Sequence, residues 1–184
     1  AFTDDLLLIE GAMGLFDGAP PDGAGSSADL ARILGLPVIL IIDAGRMAQS
    51  VAPIATGFAR HDPEVRVAGV ILNNVGSVRH EAMLRRALTA TGLPVLGAVS
   101  RQTSLNHPSR HLGLVQAQER PDLEAFLDTA ADIVEQAIDL DHLIALAAPL
   151  PQDAHGAAPR PSPPPAQRIA IARDAAFAFA YPHL

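Results

Sequence analysis

Four polar side chains in this chain stand where a buried strand ends. Glu10 follows Leu6-Leu7-Leu8-Ile9, Asp43 follows Val38-Ile39-Leu40-Ile41-Ile42, and Asn73-Asn74 follows the mostly apolar run from Val65 to Leu72. A buried strand has no structural need for a carboxylate at its end, and placing one there costs free energy unless a cation or hydrogen-bond donors meet it. Open α/β sheets bind ligands in the crevice outside the carboxyl ends of their strands. Glu10 is therefore expected to face a metal ion or a phosphate-bearing ligand. Asp17, delivered by the Gly-rich turn Gly11-Ala-Met-Gly-Leu-Phe-Asp-Gly18, is expected across the same crevice. Each acid has a plainer reading: a solvated strand end for Glu10, an ordinary Asp-Gly turn for Asp17 and a turn cap for Asp43. Met13, Leu15 and Phe16 read as packing residues. His107 and His111 are four apart, but Pro108 and the polar surroundings argue against a helical metal pair.

The elements that must position these groups alternate. Leu6–Ile9 is predicted as a strand buried on both faces, because a short apolar run bounded by glycines fits a parallel sheet. Ser26-Ser27-Ala28-Asp29 starts a helix that Gly35 stops. Residues 37–43 form the next strand, and a helix follows over roughly 47–60, with its true start near Ser50 because Pro53 belongs in a first turn. Residues 65–72 form a third strand. Ser77 caps a helix through Ala90, with Glu81 reaching Arg85. Residues 95–99 form a fourth short strand. This order predicts right-handed crossovers and a mostly parallel sheet with helices on both faces. Residues 100–121 read as a polar loop, and an amphipathic helix starts at Pro121 with a further turn or two over 141–148.

Pro149 to Gln167 is too Pro-rich to bury a core and reads as an extended linker. The expected organisation is a synthetase-like domain over 1–148, a linker over 149–167 and the start of another domain over 168–184, with both ends of the sequence reading as cut. The formal net charge is -7, and the densest basic cluster, Arg79 to Arg86, is interrupted by Glu81, so no nucleic-acid partner is expected. No apolar run is long enough to cross a bilayer, and Asp4 and Asp5 stand where a signal peptide would carry positive charge. The expected location is cytoplasmic. Cysteine is absent, which excludes thiolate metal ligands and cysteine nucleophiles in these residues.

Five stretches together carry a resemblance: Glu10-Gly-Ala-Met-Gly-Leu-Phe-Asp-Gly18, the Ser-Ser-Ala-Asp-Leu-Ala helix start, Val38-Ile-Leu-Ile-Ile-Asp-Ala-Gly-Arg-Met-Ala-Gln-Ser50, Gly69-Val-Ile-Leu-Asn-Asn-Val75 and Arg110-His-Leu-Gly-Leu114. In this order they resemble the cobyrinate or hydrogenobyrinate a,c-diamide synthases of vitamin B12 biosynthesis. The closing Arg168-Ile-Ala-Ile-Ala-Arg-Asp-Ala-Ala-Phe177 resembles the start of that family's glutamine amidotransferase domain. The resemblance implies a P-loop NTPase-like domain similar to dethiobiotin synthetase. It would use ATP and Mg²⁺ to activate two acetate carboxylates of a corrinoid, then amidate them with ammonia from glutamine. It implies that Glu10 is a Mg²⁺-associated acid, that Asp17 lies at the synthetase active site and that Asn73 reads adenine, with Asn74 as its neighbour in the cofactor site. Met13, Asp17, Arg46, Arg110 and His111 are the substrate-side candidates, Asp43 joins the catalytic set, and a homodimer is left open.

Two departures accompany it. The chain contains no Gly-x-x-x-x-Gly-Lys-Ser/Thr phosphate loop and no glutaminase cysteine, so these residues alone are expected to be inactive. The family's Pro-Arg-Asp run is replaced near Ser100-Arg101-Gln102, which leaves the roles of Arg101 and Gln102 open. Two rivals share the strand-helix order: a P-loop-like ATPase of the partitioning type, and a single-domain ligase like dethiobiotin synthetase.

Overall fold

In a computed structural model of the chain, the residues described are 6–105, 117, 120–150, 166–172, 174 and 177. The elements are α1 (Ser27–Leu34), β1 (Val38–Asp43), α2 (Val51–His61), β2 (Val67–Val75), α3 (Val78–Leu88), β3 (Val95–Ser100), α4 (Leu123–Ala137) and α5 (Leu140–Ala145), with a 3₁₀ turn over Thr89–Thr91. The three strands form a parallel sheet in the order β1-β2-β3. The α/β class and the parallel pairing agree with the alternation in the sequence.

Each boundary has a local cause. Ser26 caps α1 reciprocally: its Oγ accepts from the Asp29 N–H at 3.2 Å, and Asp29 Oδ2 accepts from the Ser26 N–H at 3.1 Å. Gly35 ends the helix in the left-handed region, where an L side chain would be strained. Ser77 caps α3 by accepting from the His80 N–H at 3.1 Å. The core lies between β1, β2 and the helices α2 and α3, where Ile42, Val51, Ala55, Val70, Leu72, Leu84 and Leu88 are buried. Val70, Leu72 and Ile42 thus face the helices, and by alternation Ile41 faces the other way. Ile41 is 65% exposed, so that face of β1 has no cover among the described residues.

A second, smaller cluster closes the amino ends of the strands. Leu15, Ala28, Val65 and Val67 are buried there, with Phe16, Val38, Phe58 and Leu93 packed against them. Phe16 stacks on Phe58 with ring centroids 6.0 Å apart and meets the His61 ring edge-on at 4.5 Å. Arg32, paired with Asp29 within α1 at 2.6 Å, ties that helix to the end of α2 through Asp62 at 2.5 Å. At the far edge, Gly97 of β3 bridges Ile138, and the Asp139 N–H donates to the Leu96 carbonyl at 2.8 Å, joining the end of α4 to the sheet.

One expectation fails in the structure. Leu6 to Ile9 are not a buried strand: they pair with no strand and are 58%, 65%, 82% and 42% exposed. A strand needs a hydrogen-bonded neighbour, and none of the described residues supplies one to this segment. Strand β2 also runs further than predicted, carrying Asn73 and Asn74 inside it to Val75. The 149–167 linker falls mostly outside the described residues.

Candidate functional site

The polar groups that meet in this fold do so at the carboxyl edge of the sheet. Asp43 closes β1 opposite Asn73 of β2, and Val75 is registered with Ser100 at the end of β3. Three strand ends therefore deliver Asp43, Asn73-Asn74 and Arg101 to one edge. Two backbone bonds fasten the ends: the Ala44 N–H donates to the Asn73 carbonyl at 2.8 Å, and the Arg101 N–H to the Val75 carbonyl at 2.9 Å.

Asp43 is the electrostatic centre. Its Oδ1 accepts from the Gly45 N–H at 2.9 Å. That bond first, then the Asn74 side chain, then the charges of Arg101 and Arg46, hold the carboxyl below its ordinary range despite some desolvation. Asp43 is thus a fixed anion near neutral pH, suited to orienting donors and not to giving up a proton. The Arg101 guanidinium reaches the Gly45 carbonyl at 3.5 Å. Among the described residues neither Arg46 nor Arg101 is in a salt bridge, so both guanidinia can meet an anionic ligand.

The two asparagines are not equivalent. Asn74 takes φ 58°, and its side chain helps hold Asp43 in the ionised form. Asn73 accepts from the Asn74 N–H through Oδ1 at 2.9 Å, which leaves its NH₂ without a hydrogen bond among the described residues. Asn74 thus shapes the turn, and Asn73 keeps an available amide donor beside it.

The N-terminal acids lie on the segment that precedes α1. Phe16, next to Asp17, packs on the amino-end cluster, at the opposite end of the strands from Asp43. Asp17 sits in a turn closed by its own N–H donating to the Gly14 carbonyl at 3.0 Å. Gly11, beside Glu10, backs onto Ser27 at the start of α1, where a Cβ would meet the Ser27 Oγ at 2.6 Å. Glu10 and Met13 are exposed, and Glu10 makes no hydrogen bond or ion pair among the described residues. Because Leu6–Ile9 pairs with no strand, strand pairing does not fix where Glu10 lies relative to the carboxyl edge of the sheet. Arg110 and His111 lie outside the described residues. Among the described residues no three His, Asp or Glu side chains gather as a metal cage. Arg101 is the edge residue whose role the sequence left open; its place directly after the last apolar run was the available signal.

A family model described as an AAA domain matches residues 1–109. The chain belongs to that family. Its parallel α/β sheet is that of a P-loop NTPase-like domain. Over nearly its whole length the chain is also similar to proteins named hydrogenobyrinate a,c-diamide synthase. It is 52% identical over 182 residues to the one from Mesorhizobium japonicum and 51% identical over 184 residues to the one from Rhodobacter capsulatus, 98% of this chain in both cases. It is 56% identical over 180 residues, or 97% of the chain, to the one from Brucella anthropi. The chain spans 41% of the length of each of these relatives. No solved structure gives a significant match. No helix among the described residues is long and apolar enough to cross a membrane.

Proposed function

We propose that this chain supplies the carboxyl-edge half of an ATP-dependent synthetase that amidates the a and c acetate carboxylates of hydrogenobyrinic or cobyrinic acid, with glutamine as the source of ammonia. The observation that carries this reading is the 50–56% identity to hydrogenobyrinate a,c-diamide synthases along 97–98% of the chain. The Asp43–Asn73–Arg101 edge supports it, because it combines an amide donor with two guanidinia that form no salt bridge among the described residues, as a nucleotide or carboxylate ligand requires.

In this reaction a corrinoid carboxylate attacks the γ-phosphorus of ATP and ADP leaves. Ammonia then attacks the acyl phosphate carbon, and phosphate departs with the C–O bond. Negative charge spreads over the phosphoryl oxygens, so fixed donors and cations aimed at it carry much of the catalysis. Arg46 and Arg101 can supply such charge, and Asp43, held ionised, keeps the loop between them in place. Asn73 offers its NH₂ to the adenine edge. Glu10 suits Mg²⁺, which commonly takes one or two protein carboxylates together with substrate phosphates, and its exposed carboxylate has no hydrogen bond or ion pair among the described residues. Bound there, the ion would neutralise phosphate charge. Met13, Asp17, Arg110 and His111 remain assigned to the corrinoid side, in a cytoplasmic enzyme.

The test is the full-length protein assayed with ATP, glutamine and hydrogenobyrinic acid, with the corrinoid product followed by mass spectrometry. Two amidations coupled to ADP release are expected. ATP hydrolysis indifferent to corrinoid would instead point to a partitioning-type ATPase.

A further inference from the structure

His80 stands outside the edge, yet its ring joins the two turns that build it. It lies in the first turn of α3, where its backbone N–H is spent on the Ser77 cap. Its ring folds back so that Nδ1 lies 3.1 Å from the Gly76 nitrogen and Nε2 lies 2.7 Å from the Met47 carbonyl oxygen. The Gly76 N–H can only donate and the Met47 carbonyl can only accept, so the ring is the neutral form carrying its proton on Nε2. Met47 belongs to the segment between β1 and α2 that also contains Gly45 and Arg46. Gly76 belongs to the turn that follows Asn73 and Asn74.

We infer that His80 is a positioning residue for the proposed nucleotide site: it fixes the Arg46-bearing loop to the Asn73–Asn74 turn so that a ligand at the sheet edge meets a preformed surface. The segment is held at its first residues by the Ala44 bond to Asn73 and by Arg101 on the Gly45 carbonyl. The His80 bond holds its far side, before α2 begins at Val51. Removing it leaves the strand pairing intact but frees the loop to sample other arrangements, and ordering it again on binding costs affinity.

The inference rests on the reading that this edge binds ATP, and the experiment separates the two. In the full-length protein, His80→Ala, His80→Asn and His80→Gln are compared for KM of ATP, kcat and hydrogen exchange over residues 44–50. Gln places an acceptor and a donor on one carbon, as the imidazole does, and so can keep both bonds; Asn is long enough for Gly76 alone. The expected result is a KM for ATP raised about tenfold in the Ala and Asn variants, with kcat within about twofold and faster exchange confined to residues 44–50, and with Gln restoring both readouts. Wild-type KM and exchange in the Asn variant, or an equal loss in all three variants, would overturn the inference. A wild-type protein that binds no ATP would defeat the proposed function, while the exchange data would still decide whether His80 holds the loop.

Discussion

Leu72 is the residue on which core and site both depend, so its truncation makes the sharpest stability prediction. It is fully buried in the middle of β2, packed toward α2 and α3, and stands immediately before Asn73. Leu72→Ala removes three carbons, roughly 2.4 kcal/mol of transfer free energy at about 0.8 kcal/mol each. A central strand held between two neighbours cannot collapse into the space, so a cavity contribution brings the loss to roughly 3–4 kcal/mol. Ile33→Ala is the control, because Ile33 on α1 is 74% exposed; its effect should stay within about 0.5 kcal/mol. Urea unfolding followed by circular dichroism measures both, with an unchanged slope expected for each variant. A loss below about 1 kcal/mol at Leu72, or equal losses at the two positions, would refute the packing described for β2.

Two further outcomes follow from the geometry. Asn74 adopts φ 58°, so Asn74→Ala should cost about 1 kcal/mol in unfolding free energy while Asn74→Gly should be close to neutral; equal costs would deny the strain. Arg32, hydrogen-bonded first to Asp62 and then to Asp29, depresses both carboxyl pKa values. A depressed carboxyl stabilises the fold above its unfolded value near 3.8, and that stability is lost as pH falls through the lower folded value. Asp62→Asn should therefore be less stable than wild type near neutral pH, and the gap should close as pH falls below about 4; a gap that persists at about pH 2 contradicts this.

The parallel sheet was readable because its signals are local. Val38–Ile42 and Val67–Leu72 are apolar beyond what any surface element tolerates, and Ser26, Gly35, Ser77 and Gly92 punctuate the helices with the chemistry that caps and turns demand. The Asp43–Asn73 edge followed from the rule that strand ends carry ligands. What failed was non-local. Leu6–Ile9 has a strand's composition, but strand formation depends on a neighbour that the segment's own residues do not supply. The surroundings of Asp17 are likewise non-local: its neighbour Phe16 packs on Phe58 and His61, residues more than forty positions away. The roles of Arg101 and His80 were hidden for a related reason: each acts through a backbone carbonyl, Gly45 or Met47, and carbonyls leave no mark in a sequence.

Glu10 carries the central claim, since it is the residue proposed to hold the ion at the reacting phosphates. The decisive measurement compares the full-length protein with its Glu10→Gln variant in ATP- and glutamine-dependent conversion of hydrogenobyrinic acid to the diamide. The account predicts turnover by the wild type and a loss of at least about a hundredfold in kcat for the variant, with folding unchanged. Equal turnover by the two proteins would remove Glu10 from the mechanism, and the absence of any ATP-dependent amide in the wild type would contradict the function proposed.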